Sequence, residues 1–187
     1  MKIILIGYRA SGKSTVGRHL SRKLGIPFVD ADRLVEKEAG MSIPELVSLK
    51  GWQEFRKRET QTLASLQETM VCVLATGGGA VLTDKNRKLL KKTGVVIYLK
   101  ADLPDILERL HRDAKHASSR PSLTAGDLIE DTRVVFAERI PLYEATADYA
   151  VDTRNKNIVQ VAEEIYRQLL EAGIVSKIQT LKQKTIQ

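Results

Sequence analysis

Gly7-Tyr8-Arg9-Ala10-Ser11-Gly12-Lys13-Ser14-Thr15 follows directly on the apolar run Ile3-Ile4-Leu5-Ile6. That order reads as strand, glycine loop, helix. The spacing G-x-x-x-x-G-K-[ST] is that of a phosphate-binding loop. In such a loop successive backbone N–H groups point inward at phosphate oxygens, and the following helix adds the positive end of its dipole. Ala10, Ser11, Gly12, Lys13, Ser14 and Thr15 are the candidate phosphate-holding residues. Lys13 supplies a full positive charge for the β- and γ-phosphates, and the Ser14 hydroxyl is a ligand for Mg²⁺. A glycine-rich turn can also do no more than join a strand to a helix. Here the motif is complete and its flanks are right, so ATP or GTP binding is expected.

Outward from this loop, short apolar β-branched runs recur at Lys2–Ile6, Pro27–Asp30, Val71–Thr76, Val95–Leu99 and Tyr149–Val151. Each is bounded by glycine, aspartate or polar residues, as buried parallel strands are. Helical patterns fill the intervals: Lys13–Leu24 before Gly25, Asp32–Ala39 before Gly40, then Trp52–Glu68, Thr83–Lys92, Asp102–Arg112, Gly126–Tyr143 and Asn155–Glu171. Ser42-Ile43-Pro44-Glu45 carries the signs of a capping box. The alternation predicts an α/β fold, a mainly parallel five-stranded sheet with helices on both faces. Two stretches break it. Asp32 to Met70 holds consecutive helices with no strand between them, which suits a substrate-binding insertion. His111–Leu123 is polar, basic and irregular, which suits a lid over the phosphates.

At 187 residues the chain is long enough for one domain with a full core and too short for two ordinary ones. Its hydrophobic fraction of 43% and charged fraction of 28% are those of a soluble globular protein. No apolar run approaches bilayer length, and a cleavable signal peptide would remove the loop. The single cysteine, Cys72, cannot form an internal disulfide. A cytoplasmic protein is expected. The net charge of +7 draws on Arg109–Arg120 and on the tail Gly173–Gln187, which has three lysines and no acid. An anionic substrate explains the first segment, and the tail's charges are expected to face solvent. His19, His111 and His116 have no metal-ligand spacing, and Trp52 reads as a packing anchor.

Ligands of open α/β sheets bind beyond the carboxyl ends of the strands. Three segments stand there: the phosphate loop, Asp30-Ala31-Asp32 and Gly77-Gly78-Gly79. One carboxylate beside a triphosphate can hold Mg²⁺ directly or through its waters. Another can orient an attacking hydroxyl and accept its proton. Either aspartate could instead cap the following helix. Three successive glycines cost backbone entropy and let main-chain N–H groups approach a ligand, whereas a plain turn needs fewer. Arg56 and Arg139 can each clamp a carboxylate with paired hydrogen bonds, although either taken alone reads as a solvated or structural side chain and only the surrounding pattern lifts it. Arg120, in the candidate lid, can neutralise a transferring phosphoryl group.

Taken in order, these pieces resemble shikimate kinase: the Gly7–Thr15 loop, Asp30-Ala31-Asp32, Glu54-Phe55-Arg56 with Glu59, Gly77-Gly78-Gly79-Ala80, Arg120-Pro121 and Arg139-Ile140-Pro141-Leu142-Tyr143. They span about Lys2 to Leu170. The resemblance implies a three-layer P-loop kinase fold and ATP-dependent phosphorylation of the shikimate 3-hydroxyl, a step toward chorismate and the aromatic amino acids. It implies that Asp32, Arg56, Arg139 and the glycines Gly77, Gly78 and Gly79 hold shikimate, with Asp32 also orienting the hydroxyl. Ser14 would bind Mg²⁺, with Asp30 acting through its water shell. Lys13 and Arg120 would serve the transfer itself, and Arg109 and Lys156 would lie near the adenine. The domain would run over 1–172, with the insertion at about 32–60, the lid at about 111–123, and a basic extension at 173–187.

The chain departs from the family pattern in its lid, Arg120-Pro121-Ser122-Leu123, and in carrying Lys156 on the adenine side where arginine is common. Other readings stand beside this one: a related kinase of gluconate or a nucleoside, or a nucleotide-binding module acting on nucleic acid or a protein partner. No basic–aromatic array accompanies the charge, so nucleic-acid binding is not expected. Nor is membrane association, and a monomer is.

Overall fold

The computed structural model describes residues 1–66, 71–116 and 128–185. Its five strands are β1 (Lys2–Ile6), β2 (Phe28–Asp30), β3 (Cys72–Ala75), β4 (Gly94–Lys100) and β5 (Tyr149–Asp152). They form one parallel sheet in the order β2-β3-β1-β4-β5. The helices are α1 (Lys13–Leu24), α2 (Ala31–Ala39), α3 (Ile43–Ser65), α4 (Asp84–Thr93), α5 (Leu103–His116), α6 (Leu128–Thr146), α7 (Ile158–Glu171) and α8 (Ile174–Thr185).

Strand alternation builds the three layers. Successive side chains point to opposite faces, and β1 is buried on both. Ile4 and Ile6 join Leu74, Val96 and Tyr98 in a core completed by Leu90, Ile106, Phe136 and Tyr143. Ile3 and Leu5 join Val73, Ile97 and Leu99 on the other face, under Val16 and Leu20 of α1 and Val161, Ile165 and Leu169 of α7. A smaller cluster of Val35, Leu46 and Phe55 holds α2 against α3. The Ser42 capping box forms as its sequence implies, with the Ser42 side chain accepting from Glu45 N–H.

Helix α3 starts behind the Ser42 box and kinks at Gly51 (φ 78°, ψ 167°), so that a second helical stretch sets out at Trp52, as the two sequence patterns imply. Two local expectations are corrected. Residues 111–116 continue α5 instead of forming irregular chain, helped by i,i+4 pairs such as Arg112 with Glu108. The tail is a helix and not merely a solvated charge run. Val175 and Ile178 of α8 are buried against the α7 face of the core, and Lys182 Nζ reaches the Leu24 carbonyl at the end of α1. Among the described residues no helix is long and apolar enough to cross a membrane.

Candidate active site

Parallel register brings the strand ends level. Asp30 of β2 pairs with Ala75 of β3, and Ala75 pairs with Leu5 of β1. The chain beyond each therefore leaves the sheet at one height. Thr76 locks the β1–β3 junction, its N–H and its hydroxyl both donating to the Leu5 carbonyl at 3.1 Å. The segments emerging there line a cleft of about 380 Å³ with Arg9, Ser14, Asp30, Asp32, Arg56, Glu59, Gly77, Gly78, Gly79 and Arg139 on its walls.

On the nucleotide side the loop turns through Ala10 (φ 61°) and Gly12 (φ 91°). Gly12 caps α1 with no side chain of its own, which leaves the first-turn N–H groups of Lys13 and Ser14 at a helix N-terminus suited to phosphate, while the Thr15 N–H donates to the Gly12 carbonyl at 3.1 Å. Lys13 Nζ donates to the carbonyls of Gly7 (2.9 Å) and Tyr8 (2.7 Å) and to Ser11 Oγ (3.3 Å). The ammonium thus braces the loop from within. The Ser14 hydroxyl donates to Asp30 Oδ2 at 2.7 Å. This pairing joins α1 to the end of β2 and sets two oxygen donors side by side, the hard-ligand chemistry that suits Mg²⁺. Asp30 stands at the N-cap of α2 without making a cap hydrogen bond. Among the described residues no group of three or more His, Cys, Asp or Glu side chains could hold a metal alone, so any cation there needs oxygen from phosphate and water.

On the acceptor side Arg56 Nη1 donates to Glu59 Oε2 at 2.7 Å, and Glu59 is 1% exposed. Burial pushes the Glu59 carboxyl above its ordinary range, against the pull of Arg56 and with help from the Asp32 charge. Its second oxygen has no hydrogen-bond partner. Arg56 lies over the rings of Trp52 (5.4 Å) and Phe55 (4.9 Å), and Trp52 lines the cleft. Trp52 is therefore part of the site as well as a packing anchor. Arg139 lies over the Tyr8 ring at 5.6 Å and donates to the Gly78 carbonyl at 3.3 Å.

Arg109 and Lys156 lie elsewhere. Arg109 pairs with Asp105 (3.0 Å) and donates to the Ala10 carbonyl (3.3 Å), tying α5 to the phosphate loop. Lys156 pairs with Glu164 at 2.6 Å and lines a second cavity with Asp102, Asp105, Asp152, Arg154 and Asn155. Arg120 and residues 117–123 of the candidate lid fall outside the described residues. Sequence reasoning gave no role to Glu59, Arg9 or Tyr143. An acid three residues after Arg56 on a helical pattern was the readable signal for Glu59, though not its burial; Arg9 and Tyr143 had none.

The shikimate kinase family model matches residues 9–170. A shikimate kinase of Syntrophus aciditrophicus is 40% identical over 173 residues, covering 88% of this chain and 89% of that protein. One from Nitrosococcus oceani is 41% identical over 167 residues, covering 89% and 86%. Among solved structures, the shikimate kinase from Acinetobacter baumannii in complex with shikimate superposes with a TM-score of 0.85 at 36% identity, covering 91% of this chain and 93% of that one. With matches running through nearly the whole sheet and its site, the chain belongs to the shikimate kinase family.

Proposed function

We propose that this chain transfers the γ-phosphoryl group of ATP to the 3-hydroxyl of shikimate, giving shikimate 3-phosphate and ADP. The observation that carries this reading is one cleft with a phosphate loop on one wall and two arginines, an aspartate and a triple glycine on the other. Gluconate and nucleoside acceptors lose their standing beside the family match.

The shikimate carboxylate sits between Arg56 and Arg139, whose planar guanidiniums donate paired hydrogen bonds to it. Asp32 accepts the hydrogen bond of the 3-hydroxyl and aims its oxygen at the γ-phosphorus. As the new P–O bond forms and the bond to ADP breaks, the hydroxyl proton passes to the Asp32 carboxylate. Lys13 leaves its loop carbonyls for the β- and γ-phosphates, and Arg120 adds charge from the lid side. Ser14 and Asp30 are the residues that would hold Mg²⁺, Asp30 through water; the ion neutralises phosphate charge when bound. Arg109 and Lys156 flank the adenine. Little covalent chemistry is asked of the protein, and positioning and charge neutralisation supply most of the rate. The reading is completed by a cytoplasmic monomer whose catalytic domain spans 1–172 with its insertion at about 32–60.

ADP release measured with ATP and Mg²⁺, with and without shikimate, tests it. Release that depends on shikimate and not on gluconate or nucleosides is expected; release indifferent to shikimate overturns it.

A further inference from the structure

Tyr143 does not line the cleft. It is fully buried in α6 and stacks on Tyr98 of β4, ring centroids 5.1 Å apart at 24°. Its hydroxyl donates to the Gly78 carbonyl at 2.5 Å. Arg139, one helical turn earlier on the same face, donates to that same oxygen at 3.3 Å. Pro141 between them has no N–H, so this stretch of α6 is held in place by such side-chain bonds as well as by its own ladder.

A trans peptide sets its C=O and the next N–H on opposite sides, and no peptide in the described chain is cis. With the Gly78 oxygen anchored to α6, the Gly79 N–H is turned away from α6. Among the described residues it donates to no backbone carbonyl. The Ala80 N–H donates to the Gly77 carbonyl at 3.1 Å and closes a turn around this peptide, but such a turn accepts either direction of its central peptide when glycines occupy it, so the bonds from α6 select one of the two. Burial also raises the Tyr143 phenol well above its ordinary ionisation range, which keeps it a hydrogen donor at any working pH.

We infer that Tyr143 is a positioning residue for the acceptor: its hydroxyl fixes the Gly78–Gly79 peptide and, through the shared oxygen, the Arg139 guanidinium. It touches no substrate. It determines which way the glycine N–H edge points and how much of Arg139 is free for a carboxylate. This rests on the shikimate reading above.

Tyr143→Phe removes one oxygen and keeps the ring stack. Shikimate KM should rise roughly 5- to 20-fold, the value of one buried hydrogen bond, while the KM for ATP stays unchanged. The rise in melting temperature produced by shikimate should shrink, and that produced by ATP should not. This second measurement serves even if the variant is less stable. An unchanged shikimate KM, or equal losses for both substrates, overturns the inference and leaves Tyr143 a packing residue. A wild-type chain with neither turnover nor a shikimate-induced shift overturns the functional reading along with it; an intact wild-type response retained in the variant overturns this inference alone.

Discussion

Gly79 lies directly against the Arg56 guanidinium: a Cβ on Gly79 would overlap Nη1, Nη2 and Cζ of Arg56 together. The other two glycines face other parts of the site. A Cβ on Gly77 would stand 2.6 Å from both Asp32 Oδ1 and Glu59 Oε1, and one on Gly78 would stand 3.0 Å from the Arg9 backbone nitrogen. The triple glycine is thus a set of three close approaches, to the guanidinium, the carboxylate pair and the phosphate loop.

Gly79→Ala should therefore displace Arg56 and leave the nucleotide side alone. We expect the shikimate KM to rise by about tenfold or more, on the order of one lost charge-assisted hydrogen bond, with the KM for ATP unchanged. Gly78→Ala crowds the phosphate-loop backbone at Arg9, which must shift to admit it, so it should impair both substrates. Steady-state kinetics of the two variants side by side checks the contrast.

Arg56→Ala strands the buried Glu59 carboxylate as well as losing a substrate contact. A stability loss of about 1–3 kcal/mol is expected, the cost of an unsatisfied buried polar group. Adding Glu59→Gln should return part of that stability without restoring shikimate binding. Urea denaturation together with a shikimate titration separates the two effects.

The raised Glu59 carboxyl ties the stability of the fold to pH. Between its ordinary value of about 4.3 and its higher folded value, the folded protein binds more proton than the unfolded chain. Its contribution to stability is then fully present below the ordinary value and is lost as pH rises through the folded one. The stability of Glu59→Gln relative to wild type should grow from pH 4 toward neutrality in urea melts. A difference that shrinks with rising pH would mean that Arg56 outweighs burial.

Asp32→Ala should lower kcat by on the order of 10²–10⁴, the usual worth of a positioned general base, with ATP binding retained. Near wild-type turnover in a coupled ADP assay would remove Asp32 from that role.

Helix α8 gives a prediction separate from the chemistry. Ile178 is 1% exposed, and Ile178→Ala should cost about 2–4 kcal/mol through the cavity it leaves. The kinetic constants should not change, because α8 packs on α7 and the C-terminal end of α1 rather than on the cleft.

Local rules made much of this molecule legible from its residues. The Gly7–Thr15 spacing dictates strand, loop and helix, because only glycine at position 12 takes its left-handed turn without strain. Alternating apolar runs dictated parallel strands, β1 to the residue, and Ser42 with Glu45 dictated a helix start. What failed locally were the signals that depend on partners. Residues 174–185 look like a solvated basic tail until Val175 and Ile178 meet a core face built by α1 and α7.

The pairings within the site belong to tertiary structure alone. Chain order places Ser14 and Asp30 apart, and a 2.7 Å hydrogen bond requires the β2-β3-β1 strand order to set α1 beside the end of β2. Glu59 is an ordinary helical acid in sequence, and its burial in the folded protein is what pushes its carboxyl upward. Tyr143 and Gly78 come together only when α6 lies across the end of β3. Sequence determined which chemical groups this protein carries and the local geometry of its phosphate loop. Their directions, and the upward push on the Glu59 carboxyl, are set by desolvation and long-range packing, which no local stretch of chain contains.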